Sequence, residues 1–580
     1  MRYPTLSEMV TTRDMLDVFG GYNHNLRIGE GEFYSMKNMS SDDYPILSPR
    51  SKRGTYKTTG NPRGLISKDK LCYVDGGSFY IGDTKVENFA LTDDEKTMIS
   101  MGAYVVILPD KKYINTTNPD DNGNLEAEYT STGEVKFSLS KADGEVYGET
   151  VSQDTAPESP TNGMLWVDTS SVPHTLKQYS SASAQWVALA TTYIKIEALG
   201  IGTNFEVGDG VTISGVTVEA LKDTINASHI IKAKAENYIV VIGLLEKNAA
   251  QETAVTVSRK MPVMDFIIEN ENRLWGCHYG EDATGNMVNE IYACKLGDFR
   301  NWNSFQGIAS DSYAVTVGTD GKFTGAVAHL GYPVFFKENC MHKIYGNYPS
   351  NYQIQTTNCR GVQEGCEKSL ATVNEVLYYK ARGAVCAFDG SLPIEISSAL
   401  GDITYDRAVG GSVGNKYYLS MRNNATNDYE VLVYDATKGM WHKEDETQVT
   451  QFCSHGGDLF YIDYADNYIK SVKGQGVLEG RSVSWEAITG TLGTDSPDKK
   501  YISRIDVRIK LDVGARVSFY AEYNSDGEWE HLYTMTGTNL KSFAVPIRPK
   551  RCDHMRLRIV GSGEAKIYSI CKTIEQGSDI

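Results

Sequence analysis

The chain repeats a two-strand unit along much of its length. In each copy a loosely apolar segment precedes a polar turn with Gly, Asn or Asp, and a stronger aromatic and aliphatic segment follows. Five later copies place that second segment near positions 274, 334, 377, 417 and 459, at spacings of 60, 43, 40 and 42 residues. A β-propeller blade of four short strands takes about 40–50 residues. We therefore expect an all-β chain built on a β-propeller of six to eight blades, with a string of unrelated antiparallel meanders as the alternative.

The repeat is interrupted once and then ends. Two copies precede residue 115 and five follow residue 260, while a polar, turn-rich stretch and a second strand-rich stretch lie between them. After about residue 479 apolar and polar residues alternate, which is typical of strands with one face in water. The expected organisation is an N-terminal arm at 1–63, the propeller at 64–114 and 259–478, an inserted polar β module at 115–193, an inserted small β-barrel at 194–258, and a C-terminal β-sandwich at 479–580.

Composition excludes several classes of function. Lys and Arg number 57 and Asp and Glu 74, a net charge of −17. Such a chain is a poor candidate for coating nucleic acid or an anionic membrane. The longest apolar run, Tyr238–Leu245, is far shorter than the about 20 residues that span a bilayer, and the first residues lack the apolar region of a secretory signal. The ten cysteines contain no C-x-x-C pair, so we expect buried free thiols from a reducing compartment.

Motifs that carry chemistry are absent from the sequence. It has no repeated Asp-box loop, no phosphate-binding loop and no nucleophile elbow, and its ten histidines are scattered. We therefore expect no enzymatic activity, no catalytic residue, no cofactor and no metal. Sugars stack on aromatic faces, which makes Trp166, Tyr179 and Trp186 candidates for binding a glycan. Packing within a small module is the alternative use of these three side chains.

Two stretches resemble a known family. One runs from Arg259 to Cys277 and continues through residues 289–302, and the other is Pro546–His554 followed by Tyr568-Ser-Ile570. Both resemble tailed-bacteriophage virion proteins of the phage stabilisation or tail-hub (nozzle) family. The opening Phe19-Gly-Gly-Tyr-Asn23 is similar to the N-terminal segments of phage tail proteins, which are often bound into the rest of the structure. Gly163–Thr169 with Trp186 resembles a short module scattered through tail and fibre proteins.

The resemblance implies a structural role in the virion. It predicts a tail hub, nozzle or head-tail stabilisation component that forms a homo-oligomeric ring, six-fold by analogy, around the path of DNA ejection. The implied neighbours are portal, adaptor or other tail proteins, with genomic DNA passing through unbound and no insertion into a membrane. The protein would be synthesised in the host bacterial cytoplasm and reside in the virion. The alternatives are a glycan-binding tail protein for host attachment and a propeller glycoside hydrolase.

Overall fold

A computed structural model describes residues 11–494 and 499–576. Within them the chain forms 53 strands and one short α-helix, Lys222–Ile225, so the expectation of an all-β fold is confirmed. The first ten residues of the predicted arm and the last four of the predicted sandwich lie outside the described residues.

The N-terminal segment contributes six short strands, four of which join sheets built from later parts of the chain. Only β4 and β5 form a small sheet of their own. The strands are β1 (Thr11–Leu16), β2 (Gly21–Tyr22), β3 (Glu32–Lys37), β4 (Met39–Ser40), β5 (Ser48–Pro49) and β6 (Gly54–Lys57).

Two four-stranded antiparallel sheets follow. Their strands pair in chain order through tight hairpins. The first consists of β7 (Pro62–Ser67), β8 (Leu71–Asp75), β9 (Ser78–Ile81) and β10 (Thr84–Ala90), and the second of β11 (Thr97–Met101), β12 (Tyr104–Leu108), β13 (Lys112–Asn115) and β14 (Asn122–Asn124).

The interrupting stretch forms three sheets around one apolar core. Strand β16 pairs with both β21 and β26, so hydrogen bonding crosses the boundary that the sequence places at residue 193. The strands are β15 (Ala127–Thr130), β16 (Val135–Ser140), β17 (Thr150–Gln153), β18 (Leu165–Asp168), β19 (Thr175–Ser180), β20 (Gln185–Ala188), β21 (Tyr193–Glu197), β22 (Gly210–Ser214), β23 (Ser228–Ile230), β24 (Ala233–Ala235), β25 (Tyr238–Ile242), β26 (Ala249–Gln251) and β27 (Thr256–Arg259).

Five more antiparallel sheets occupy the next part of the chain. Consecutive strands pair in each of them, except that β6 lies between β46 and β47 in the last. The first two are β28 (Phe266–Asn270), β29 (Arg273–Glu281), β30 (Met287–Ala293), β31 (Tyr313–Thr316), and β32 (Gly325–His329), β33 (Tyr332–Lys337), β34 (Cys340–Tyr345), β35 (Gln353–Asn358). The remaining three are β36 (Ala371–Val373), β37 (Val376–Ala381), β38 (Ala384–Phe388), β39 (Ile394–Glu395); β40 (Tyr405–Val413), β41 (Lys416–Asn423), β42 (Tyr429–Asp435), β43 (Met440–Lys443); and β44 (Val449–His455), β45 (Asp458–Asp463), β46 (Ile469–Ser471), β47 (Val477–Leu478). Three 3-10 turns lie among them: Pro349–Asn351, Glu367–Ser369 and Ser398–Leu400.

The C-terminal part is dominated by long strands. Strand β49 has 24 residues and changes neighbours along its length, because its first half pairs with β53 and its second half with β52. Strand β50 follows both halves. The strands are β48 (Ser484–Thr489), β49 (Lys500–Tyr523), β50 (Glu530–Val545), β51 (Arg551–Cys552), β52 (Met555–Ser562) and β53 (Ala565–Gln576).

Six of the seven first strands contact one another in series, and the 3-10 turn before β36 provides the link at the remaining sheet. Strand β7 contacts β11, β11 contacts β28, and β28 contacts β32. The 3-10 turn Glu367–Ser369, just before β36, touches both β32 and β40. Strand β40 then contacts β44, and β44 contacts β7, which returns the series to its start.

The second strand of each repeated sheet carries the aromatic and aliphatic run seen in the sequence. Strand β45 is buried at all six residues and β33 at five of its six, because sheets pack against both faces of these strands. The hairpins before them turn tightly. Glu271-Asn272, Asn374-Glu375 and Gly456-Gly457 each have positive φ at both residues, the geometry of two-residue turns that match strand twist.

The N-terminal segment completes sheets at two places. Strand β6 lies between β46 and β47, so the last repeated sheet is closed by residues from the start of the chain. Strands β2 and β3 join β43 of the sixth repeated sheet to β48. One sheet of thirteen strands therefore runs from β1 and β53 through β49, β52, β48, β3 and β2 to β43–β40.

Candidate functional site

A cavity of about 800 Å³ opens among the first strands of the repeated sheets. Strands β11, β28, β32, β40 and β44 contribute to its wall, as does the 3-10 turn Glu367–Ser369. Its volume is within the range of about 300–1,000 Å³ that is usual for small-molecule sites. Its charged lining residues are Glu95, Lys96, Asp265, Glu367, Lys368 and Arg407.

One lysine in the cavity wall forms a buried ion pair. Nζ of Lys96 lies 2.5 Å from Oδ2 of Asp110, and neither side chain is more than 3% exposed. Lys96 also donates to Oγ1 of Thr92 at 2.6 Å. Burial opposes ionisation of Asp110, but the hydrogen bonds from Lys96 and Thr92 outweigh it and hold the pKa of that carboxyl below its usual value. This pair is a fixed part of the wall.

A second ion pair connects separate sheets beside the cavity. Lys368, on the 3-10 turn, pairs with Glu95, which lies just before β11. The same ammonium donates to the carbonyl of Thr450 in β44 at 3.1 Å. Residues of three sheets far apart in sequence are thereby held together at one point. Both partners are partly exposed, at 36% for Lys368 and 67% for Glu95, so the pair is open to water and contributes little stability.

Arg407 is presented to the cavity by an irregular strand. The register of β40 shifts between Asp406 and Val409, and Arg407 has φ of 47°. Such bulges reorient a side chain relative to the sheet and are frequent next to binding sites. Within the described residues Arg407 makes no hydrogen bond or ion pair. Its guanidinium is therefore available to an anionic or polar ligand.

The three predicted glycan-stacking residues lie together, but away from this cavity. They belong to the sheet β17–β20 of the interrupting stretch. The ring centroids of Trp166 and Trp186 are 5.3 Å apart, as are those of Tyr179 and Trp186. Nζ of Lys177 lies 4.8 Å from the Trp166 ring centroid, and Nε1 of Trp166 donates to the carbonyl of Gln153 at 2.9 Å. Trp166 is buried, so much of this aromatic surface is used in packing.

Sequence reasoning did not identify the cavity residues. Lys96 lies more than 270 residues before Lys368 and Arg407, and no local motif links the three. Among the described residues no group of three or more His, Cys, Asp or Glu side chains is arranged to hold a metal ion. In the same residues no helix is long and apolar enough to cross a membrane.

Comparison with known proteins gives remote structural likenesses. No protein-family profile and no curated protein sequence matches the chain. Among solved structures, an exo-β-1,3-galactanase from Phanerochaete chrysosporium aligns at 8% identity and a TM-score of 0.20, covering 53% of this chain and 94% of that one. A bifunctional GH43-CE protein of Bacteroides eggerthii aligns at 10% identity and a TM-score of 0.20, covering 54% of this chain and 62% of that one. PorZ, a surface component of the type-IX secretion system of Porphyromonas gingivalis, aligns at 10% identity and a TM-score of 0.24, covering 92% of this chain and 80% of that one.

This comparison corrects one expectation from the sequence. The prediction that the chain is not an enzyme is contradicted, because glycoside hydrolases recur among the solved structures that match it. At TM-scores near 0.20 the likeness assigns no catalytic role to any residue of this chain.

Proposed function

We propose that this chain is a structural subunit of a tailed-bacteriophage virion, a tail-hub, nozzle or head-tail stabilisation component that forms a ring around the DNA path. In this proposal the body of the subunit is a seven-bladed β-propeller that carries an inserted β-barrel module and a C-terminal β-sandwich. The proposal rests on the sequence resemblance of residues 259–277, 289–302, 546–554 and 568–570 to that family, and on the hydrogen-bonded continuity between the parts of the fold.

The propeller assignment is supported by two features. Seven four-stranded antiparallel units follow one another in sequence, and contacts between their first strands return from β44 to β7. Strand β6 completes the last unit with N-terminal residues. The last unit thus combines an N-terminal strand with strands from much later in the chain, and it packs against the first unit. A series closed in this way has no open side.

The observation that carries the structural role is the thirteen-stranded sheet. Through it the N-terminal segment, the sixth repeated sheet and the C-terminal strands share one hydrogen-bonded network. Its hydrophobic core extends from Phe33 through Trp441 to Ile567. Domains joined only by a linker move relative to each other, whereas a shared sheet transmits force without a hinge. A subunit that must hold its shape while DNA is ejected needs this property.

The DNA path would run between copies, through the ring that they enclose. The cavity of about 800 Å³ is the size of a small-ligand site, far too small for a duplex whose major groove alone is about 12 Å wide. The net charge of −17 repels the phosphate backbone, which favours passage over capture.

Electron microscopy and mass measurement test this proposal. Purified full-length protein should form closed rings of uniform copy number, and labelled antibodies against it should mark the tail or head-tail junction of virions. A protein that remains monomeric at every concentration, and that is absent from purified particles, would contradict the proposal.

A second candidate is binding of a polar small molecule, such as a glycan, in the cavity. The observation that favours it is the unpaired Arg407 beside a cavity of suitable size. Glycan-array binding that is lost in Arg407→Ala and retained in the exposed-surface variant Arg382→Ala would support it. The same preparations should be assayed for release of reducing sugar, which reports hydrolysis separately from binding.

A further inference from the structure

At one end of the thirteen-stranded sheet, four strands form a layer in the order β1, β53, β49 and β50, with β1 and β50 as its two edge strands. In this layer β1 pairs with β53, β53 with the first half of β49, and that half with residues 541–545 of β50. Among the described strands β1 pairs only with β53, and β50 only with β49. Both edges therefore present backbone groups to whatever lies beside them. Neither β1 nor residues 540–545 contain proline, which commonly blocks such edges.

The directions of the two edge strands allow copies to join in series. Each of the three pairings in this layer is antiparallel. The fourth strand, β50, is therefore antiparallel to the first, β1. When a second copy is placed beside the first by rotation about an axis along the strands, its β50 runs antiparallel to β1 of the first. The layer then continues with the same alternation, and a rotation that divides a full turn closes a ring.

The side-chain faces select the pairing register. Asp14 is opposite Lys572, Lys572 opposite Ile505, and Ile505 opposite Val545, so all four side chains share one face. Lys541, four residues before Val545, is on that face too. A continuous sheet must pair residues of the same face. Placing Asp14 opposite Lys541 meets this requirement and brings opposite charges together.

The same register also brings together exposed apolar side chains. One residue further along, on the other face, Met15 comes opposite Leu540. These side chains are 65% and 52% exposed in the isolated chain. The Asp14 carboxylate is 49% exposed, and its Oδ2 lies 3.8 Å from Nζ of Lys572 in the same chain. Lys541 forms no ion pair within the described part of the chain. This antiparallel register therefore brings Asp14 opposite a second cation, pairs the two exposed apolar side chains and keeps matching faces together.

We propose that β1 of one copy adds to the edge of β50 in the next copy, antiparallel, with Asp14 opposite Lys541 and Met15 opposite Leu540. This inference rests on the proposed ring, for which it names the contact between subunits. The partner is a second copy of this chain. Its backbone hydrogen bonds supply affinity, and the two side-chain pairs set the register.

Charge exchange tests the pairing directly. The variants Asp14→Lys and Lys541→Asp each place like charges opposite one another. Each should weaken self-association roughly tenfold, measured as the shift of the monomer–oligomer midpoint in analytical ultracentrifugation at low salt. The double variant Asp14→Lys/Lys541→Asp should restore the wild-type midpoint to within about threefold. Lys322→Glu, a change at an exposed lysine distant in sequence, is the matched control and should leave it unchanged.

The outcomes separate this inference from the ring itself. Circular dichroism and the urea midpoint of each variant establish that it folds. If wild-type protein forms rings while both single variants assemble equally well, or if the double variant fails to recover, the strand pairing is overturned and the ring stands. If wild-type protein is monomeric throughout, both the ring and this contact are overturned.

Discussion

Nη2 of Arg53 lies 2.6 Å from Oε2 of Glu444, in a pair whose side chains are each only 4% exposed. Nη1 of the same guanidinium is 2.9 Å from Oδ2 of Asp445 and 3.2 Å from the hydroxyl of Tyr461. Burial disfavours the charge, but the surrounding Asp445, Tyr461 and Glu444 outweigh it and raise the pKa of Arg53. Arg53 precedes β6, so this pair locks the N-terminal segment beside the sheet that β6 completes.

Removing this guanidinium should destabilise the protein strongly. In Arg53→Met the carboxylates of Glu444 and Asp445 remain buried with reduced compensation, which costs about 3–5 kcal/mol of unfolding free energy. Lys37→Met, which removes a pair with Glu446 whose partners are 46% and 61% exposed, is the control and should cost less than about 1 kcal/mol. Urea unfolding followed by tryptophan fluorescence measures both. Equal losses of unfolding free energy in the two variants would show that the buried pair does not stabilise the attachment of the N-terminal segment.

A buried histidine makes stability depend on pH. Burial, reinforced by the charge of Lys416, lowers the pKa of His442 to about 3, although Asp435 and Asp42 oppose the shift. The unfolded chain takes up this proton near pH 6.5, so between about pH 6.5 and 3 the unfolded state binds more protons. Stability from this group is therefore complete above pH 6.5 and is lost as the pH falls.

The variant His442→Asn removes this titration. For wild-type protein, His442 alone should lower the unfolding free energy by about 2 kcal/mol between pH 7 and pH 5. The loss over that interval should be smaller by this amount in His442→Asn. The measurement is urea unfolding of both proteins at both pH values. Parallel pH profiles for the two proteins would refute the assignment.

The sequence predicts the repeated sheets better than it predicts their closure. The second strands near residues 274, 334 and 459 carry strong aromatic and aliphatic runs, because sheets pack on both of their faces. Strand β6, Gly54-Thr-Tyr-Lys57, has no such signal. Its place between β46 and β47 depends on partners about 400 residues away. No property of the four residues themselves specifies that pairing.

The cavity was unpredictable for a related reason. Its charged side chains come from separate segments of the chain, and only the arrangement of the sheets places Lys96 and Arg407 in the wall of one cavity. The aromatic candidates, by contrast, lie within 21 residues of one another in sequence, and Trp166, Tyr179 and Trp186 do meet. Proximity in sequence identified a cluster, but local sequence cannot distinguish packing from ligand binding.

Truncation distinguishes two parts of the N-terminal segment. The sequence predicts an arm at 1–63, and within it Phe33, Met36 and Met39 are buried in the main core. Among the described elements, a deletion of residues 1–16 removes β1 alone, and it should leave the folded core intact. Deleting residues 1–40 also removes β2 and β3, which link β43 to β48, and should abolish cooperative unfolding or solubility. Calorimetry of the two proteins gives the comparison, and similar transitions in both would contradict the structural role of β2 and β3.

Substitutions in the aromatic cluster decide whether it packs or binds. Trp166 is 6% exposed and packs against Trp186, so Trp166→Ala should cost about 3–5 kcal/mol in the stability of the interrupting stretch. Trp186 is only partly buried, and Trp186→Ala should cost less because water already reaches one side of the ring. Hydrogen exchange of β17–β20 should report both losses locally, while the repeated sheets keep their protection. If instead Trp186→Ala left exchange unchanged and abolished binding on a glycan array, the cluster would be a sugar platform, and the packing interpretation would be wrong.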